Sequence, residues 1–508
     1  MKTAANAATA TLEFAHPDYG CTLAEWQMVE DVCAGPTTIK ERGIVYLPKL
    51  AGQTDEEYLA YKKRAVMFNA TKRTREALAG LLMRKQPTLT LPDGDAASQP
   101  LLADVTMSGM SLLQWIKHIA TAVVSTGRMV TVIDYNMDTA RPYMATYQAT
   151  DVLNWATSLV NGRRVLSLLI VREREEVLDG FRVTKRERYR SYRLVDGQVL
   201  YRTWTENDAE GHNSAADNPM TRRGKSLPRI PAVFHNACHL GPEIGEVPLY
   251  DLADINMSHY RTSADLETGR HIAGLPTPYA TGVEADKASL TLGTTKLLTC
   301  ENPDATFGFL EFTGQGLGEL TKALEEKERQ MAVLGARLLF DAKKDAESFE
   351  TVKLRAASEG AALGNIAGHL TVTASEAMQW FYWWQGTQND PTEIIATVLI
   401  NQDFVETSID SATLQALVSA FQQNALSFEA FFHQLKKGEI YPDGWDLDSE
   451  AAAISQRPPA TMPVAPAGPT PPGKTGGDPP ADPKGGKSPA AGSGDKTGKK
   501  GETSPNKA

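Results

Sequence analysis

Cysteine is scarce: the 508 residues include four, Cys21, Cys33, Cys238 and Cys300, and no two stand in a C-x-x-C spacing. That scatter excludes a disulfide framework and a zinc ribbon, and it fits free, buried thiols in a reducing compartment. Long apolar runs are also missing. No stretch approaches the roughly 20 apolar residues of a membrane span, and the opening Met-Lys-Thr-Ala-Ala-Asn lacks an apolar core with a cleavage pattern. A cytoplasmic product away from membranes is expected. Positive charge falls short as well, with 52 Lys and Arg against 62 Asp and Glu, a net charge of −10. Residues 457–508 hold seven Lys and one Arg against four acids, or +4, which leaves −14 for the rest. A tight DNA clamp would need a basic face, because phosphate neutralisation supplies most of its affinity.

Catalytic constellations are absent too. No Ser/His/Asp or Cys/His set and no carboxylate pair stands out, so neither a catalytic residue nor a cofactor is expected. Gly314-Gln315-Gly316-Leu317-Gly318 opens a helix after a candidate strand but lacks the spacing and the lysine of a phosphate-binding loop; a turn is expected there. His235-x-x-Cys238-His239 gathers three possible zinc ligands, yet ordinary packing at a strand end explains it better and no metal is expected. Asp251, Asp254, Asp265 and Glu267 fall at helical spacings and fit a solvated or subunit-contact face.

What is present is an ordinary globular composition, 42% hydrophobic and 22% charged, in a chain long enough for several parts. Thr22-x-x-Glu25 and Thr54-x-x-Glu57 read as capping boxes, the second opening a long helix to Lys85. Between them Ile44 to Leu47 reads as a short extended piece. A helix over Leu112 to Ser125 leads through Gly127-Arg128 into a buried strand, and the texture stays β to about Asn236. Asp196-Gly197 joins Tyr189–Val195 to Gln198–Thr205 as a hairpin. There Arg188, Tyr189, Arg190 and Tyr192 interleave basic and aromatic groups, read as a solvated hairpin face rather than a nucleic-acid surface.

Helical periodicity returns over Leu249 to Ile272, and a second stripe runs from Leu317 to Leu338. Between them lie extended candidates at Lys296–Thr299 and Phe307–Phe312. A further helix runs to Trp384, and a last helical pair covers Ser411–Lys437 and Asp448–Ile454. From Arg457 onward Pro and Gly make up 22 of 52 residues, a composition that cannot repay its ordering entropy, so disorder is expected.

Several of these residues carry a resemblance in their order. Trp26 with Gly35, Tyr46-Leu47-Pro48, Asp55-Glu56-Glu57-Tyr58, Phe68-Asn69-x-Thr71-x-Arg73-Thr74 and Gly80-Leu81 come first. Then follow Gly127-Arg128, Tyr147 with Asp151-Val152-Leu153-Asn154-Trp155, and Pro248-Leu249-x-Asp251-Leu252-Ala253-Asp254-x-Asn256 to Leu275-Pro276-Thr277-Pro278. Across Asp18 to Asp448 the chain is similar to the portal proteins of tailed phages, the head-tail connector subunits.

The resemblance implies an α+β, mostly helical fold with wing, stem, clip and crown regions and a disordered C-terminal tail. Its boundaries would be a wing over 1–248, a first stem helix over 249–275, a clip over 276–316 and a second stem helix over 317–340. A tunnel loop over 341–350, a wing return over 351–408, a crown over 409–455 and the tail over 456–508 would complete it. It implies a ring, usually of twelve subunits, at one capsid vertex of a virion assembled in the host cytoplasm. The ring would pass double-stranded DNA weakly and without sequence preference during packaging and ejection. Its partners would be the terminase large subunit, the major capsid protein and scaffold, and a head-tail adaptor. Lys343 and Lys344 are the channel candidates, and Glu284, Asp286, Lys287 and Lys296 the clip candidates for motor and tail docking. The alternatives are another phage head or connector protein, or an enzyme with a cryptic nucleotide site.

Overall fold

The structure, a computed structural model, describes residues 14–92, 99–205, 216–275, 277–282, 302–310, 315–335, 349–402, 404, 411–423, 425–437, 440 and 447–456. The fold is α+β, and the chain divides into two compact units, Met1–Glu406 and Thr407–Ala508.

The first unit opens with helices α1 (Pro17–Ala34), α2 (Pro36–Arg42), α3 (Asp55–Arg64) and α4 (Ala70–Leu82). The start of α1 lies earlier than Thr22-x-x-Glu25 suggests. His16 caps it and Pro17 fills the first turn, where a missing N–H costs nothing, while the Thr22 hydroxyl donates back to the Asp18 carbonyl inside the helix. Thr54 and Glu57 do form a capping box at α3. The expected single helix from Thr54 to Lys85 is two, however. Ala65 leaves helical geometry, and Asn69 caps α4 by accepting from the Lys72 N–H at 2.9 Å. Ile44 to Leu47 is not extended either, since Gly43–Val45 is a 3₁₀ turn whose Gly43 carbonyl accepts from Tyr46 and Leu47.

After the short β1 (Thr88–Thr90) and α5 (Gln99–Leu102) comes α6 (Leu112–Thr126), opened by a Ser111/Gln114 capping box and buried along most of its length. Gly127 ends it in the left-handed region at φ +77°; a Cβ there would stand 2.7 Å from the Glu246 carbonyl oxygen, so only glycine fits the turn. The chain then forms β2 (Arg128–Asn136), β3 (Arg141–Gln148), β4 (Val152–Val160), β5 (Arg163–Asp179), β6 (Arg182–Val195), β7 (Gln198–Thr205), β8 (Asn218–Pro219), β9 (Thr221–Arg222), β10 (Lys225–Ser226) and β11 (Ala232–Asn236). One antiparallel sheet has the order β11-β2-β3 and another is the meander β4-β5-β6-β7-β8. The β6–β7 turn places Asp196 and Gly197 at φ 49° and 75°, the geometry expected of an Asp-Gly hairpin.

Beyond lie α7 (Tyr250–Gly274), β12 (Thr277–Thr281), β13 (Thr306–Leu310), α8 (Gln315–Leu334), α9 (Phe349–Gln385) and β14 (Thr397–Leu399), the last pairing with β1. The end of α9 covers the three-stranded sheet with five consecutive buried aromatics, Trp380 to Trp384, and the Trp384 indole donates to the Ile133 carbonyl. Burying so much aromatic surface makes this the anchor of the core. Arg222 and Arg229 lie over the faces of Trp383 and Trp380.

The second unit contains α10 (Ser411–Gln422), α11 (Phe428–Lys437) and α12 (Leu447–Ser455). The expected helix over Ser411–Lys437 is thus divided. The Ser427 hydroxyl caps α11 by accepting from the Ala430 N–H, although no Glu or Gln completes a capping box, and Phe421 stacks on Phe431 at 4.6 Å.

Candidate functional site

Helices α7 and α8 form an antiparallel pair whose register can be read from its contacts. At one end a Cβ on Gly269 would meet Leu317 at 2.5 Å, and at the other a Cβ on Gly335 would meet Leu252 at 2.6 Å. Between them His259 Nε2 lies 3.4 Å from Glu328, and the Lys327 ammonium donates to the Ser258 carbonyl at 3.3 Å and to the Thr262 hydroxyl. Burial holds the Lys327 ammonium below the usual lysine range. Two glycines at the ends and a charge-assisted contact in the middle keep the helices close along their length. At 1.5 Å per residue α7 runs for about 37 Å, and the β12–β13 hairpin follows it directly, paired from Thr277–Leu310 to Thr281–Thr306.

The N-terminal helices clamp α7. Asn256, fully buried, accepts from the Thr71 N–H and hydroxyl at 3.2 and 3.0 Å and donates to the Phe68 carbonyl at 2.6 Å. The Tyr61 hydroxyl donates to Asp265 at 2.6 Å, and Arg261 donates to the Tyr46 carbonyl at 2.9 Å. Asp265 is therefore a clamp residue, whereas Glu267 pairs with Arg270 at 3.0 Å on the exposed side. The pair is rooted in the body at its Leu252–Gly335 end.

Electrostatically the pair is acidic, with eight Asp and Glu against five Lys and Arg. Each of those five cations is engaged: Lys322 with Glu319, Arg329 with Glu326, Arg270 with Glu267, Lys327 with α7 and Arg261 with the Tyr46 carbonyl. A phosphate would have to displace these contacts to find a cation here. Such a surface touches a polyanion weakly.

The basic and aromatic run of β6 is not a solvated face. Tyr189 and Tyr192 are buried, Arg188 pairs with Glu173 at 2.6 Å, and Arg190 bridges Glu173 at 3.1 Å and Asp134 at 3.7 Å. Arg190 thus ties the two sheets together, while Arg188 pairs within its own sheet. His235 lies wholly in the core, its two ring nitrogens 2.9 and 2.8 Å from the hydroxyls of Thr131 and Thr373, and burial pulls its pKa down to about 3. Cys238 is exposed and free, and among the described residues no three His, Cys, Asp or Glu side chains gather as metal ligands.

Lys343 and Lys344, and the clip candidates Glu284, Asp286, Lys287 and Lys296, lie outside the described residues, as do the extended candidate Lys296–Thr299 and the tail from Arg457. Sequence reasoning missed Asn256 as a clamp and Gly269 and Gly335 as contact points. A glycine inside a helical pattern was the available signal for Gly269.

A family model described as "Domain of unknown function (DUF4055)" matches residues 248–385, a span that starts just before α7 and ends with α9. No curated protein matches the chain. Among solved structures, a chain of "Virion of native gene transfer agent (GTA) particle" is similar at 11% identity and a TM-score of 0.36, covering 83% of this chain and 99% of that one. A chain of "Neck of empty GTA particle computed with C6 symmetry" is similar at 11% identity and a TM-score of 0.38, covering 82% and 99%.

Proposed function

We propose that this chain is one subunit of a phage-type portal ring, the conduit through which double-stranded DNA passes at one vertex of a capsid. The observation that carries the reading is the long antiparallel pair α7 and α8, rooted in a mixed α/β body and bearing the β12–β13 hairpin at its far end. A portal subunit has this arrangement of stem, clip and wing, and the ordered residues from Trp26 to Pro278 point to the same family. In this assignment α7 and α8 are the stem, residues 276–316 the clip, 341–350 the tunnel loop and 409–455 the crown.

The charge of the stem suits passage. DNA that must slide is stalled by a wall that grips phosphates, and here the cations of the helix pair already have partners. Transient phosphate contacts fall to Lys343 and Lys344, while Glu284, Asp286, Lys287 and Lys296 of the clip face the packaging motor and the tail adaptor. A closed ring uses head-to-tail interfaces, so each subunit carries two different complementary surfaces. Deleting this chain from the particle that encodes it is the functional test. Heads without DNA are expected, and heads filled to normal length in its absence would contradict the proposal.

A further inference from the structure

Strands β5 and β6 outrun their sheet. Pairing of β4 with β5 starts only at Val152–Val171, and among the described residues that of β7 with β6 reaches as far as Arg188–Thr205. Yet β5 and β6 continue through Arg174–Glu187, Glu175–Arg186, Glu176–Lys185, Val177–Thr184, Leu178–Val183 and Asp179–Arg182. All residues from Arg174 to Arg186 are exposed. Six further pairs make a two-stranded ribbon about 20 Å long with no third strand on either outer edge among the described residues, and such a ribbon is marginal in water unless its edges find partners.

The two edges carry opposite charge. On β5 the ribbon has Glu175, Glu176 and Asp179 against one base, Arg174, whose guanidinium turns back to Asp151 at 3.0 Å. On β6 it has Arg182, Lys185 and Arg186 against one acid, Glu187. Edges that are merely protected from aggregation carry charges that repel a second copy; these attract one. Two ribbons lying side by side in the same sense set the β5 edge of one against the β6 edge of the next, antiparallel and oppositely charged. A two-fold arrangement would instead set acid against acid. At the tip Leu178 and Val183 share one face and Phe181 is fully exposed, apolar surface that such a joint would cover.

We propose that the ribbon of residues 174–187 pairs edge to edge with the ribbon of a second copy of this chain, acidic β5 edge to basic β6 edge. Repeated head to tail, the contact builds a continuous antiparallel collar around the ring. The inference rests on the ring reading given above, but it is tested separately from it.

The test uses the full chain and two double variants. E175K/E176K makes both edges basic, and K185E/R186E makes both acidic. Each alone should weaken ring association by about tenfold or more, read as the concentration at which rings dissociate in mass photometry. Mixing the two restores opposite charge at each joint and should restore rings, as should the fourfold variant E175K/E176K/K185E/R186E, in which the edges exchange sign. Recovery on mixing rules out misfolding as the cause of the loss, because each double variant still lacks the Glu176–Lys185 contact, 3.9 Å within the wild-type ribbon, whereas the fourfold variant regains opposite charges inside its own ribbon too. Wild-type rings with both double variants forming equally stable rings alone would overturn the collar and leave the ring standing. A wild-type chain that stays monomeric would overturn both.

Discussion

Glu30 shows how much one half-buried group can report. It reaches from α1 to the Thr150 hydroxyl, which donates to it at 3.1 and 3.2 Å, and it lies near the Asp151 and Asp31 carboxylates. Burial first, and those neighbouring acids next, push its pKa up to about 7. The folded protein therefore keeps a proton that the unfolded chain has released, so this group's contribution to stability is full below the unfolded pKa and is lost as pH rises through about 7. Glu30→Gln keeps an acceptor for Thr150 and removes the titration. The difference in unfolding free energy, wild type minus variant, should fall between about pH 5 and pH 8 in urea titrations. A difference that stays flat across that window would show that Glu30 ionises freely. Residues of this kind were not legible in the sequence. Glu30 sits in an ordinary helical pattern, and only the fold brings Thr150 and Asp151 to it. His235 differs: ordinary packing was expected there over zinc ligation, but only the fold brings the two threonine hydroxyls to its ring.

At the scale of elements, the clamp on α7 is the contact that positions the helix pair. Asn256→Ala removes the acceptor of the buried Thr71 N–H and hydroxyl and one of the donors to the Phe68 carbonyl, at a cost of about 2 kcal/mol. A lower urea midpoint and faster hydrogen exchange in α7 are the expected readings, and unchanged exchange there would show that the other clamp contacts suffice. Elements with strong local signals could be read directly. The Thr54 capping box, the Asp196-Gly197 turn and the stripes of α7 and α8 each depend on residues within one turn of one another. Thr22-x-x-Glu25 misled because the same spacing occurs inside helices, where the hydroxyl bonds to its own backbone. The break between α3 and α4 was missed although Asn69 announces it, because the apolar spacing continues across the gap.

At the scale of the molecule, the acidic balance of the sequence reappears in the α7–α8 pair, where cations are few and each is occupied. In the proposed portal reading, charge then acts on DNA at residues 341–350. K343E/K344E should shorten or destabilise the packaged DNA while leaving ring assembly intact, measured as DNA length per head and its retention over time. Unchanged length and retention would remove the two lysines from the channel. The helix, β module, helix order was readable from periodicity, with Phe307–Phe312 overlapping β13, but β12 at Thr277–Thr281 was not, and neither was the overlong β5–β6 ribbon, since strand length beyond a sheet depends on where neighbouring strands stop. The proposed portal reading requires that this chain close into a ring around a channel, and negative-stain electron microscopy of the purified full-length protein, with masses from photometry, reads that out. Closed rings with a central hole and a single multiple of the subunit mass are predicted; particles that remain single subunits without a hole at high concentration would contradict it.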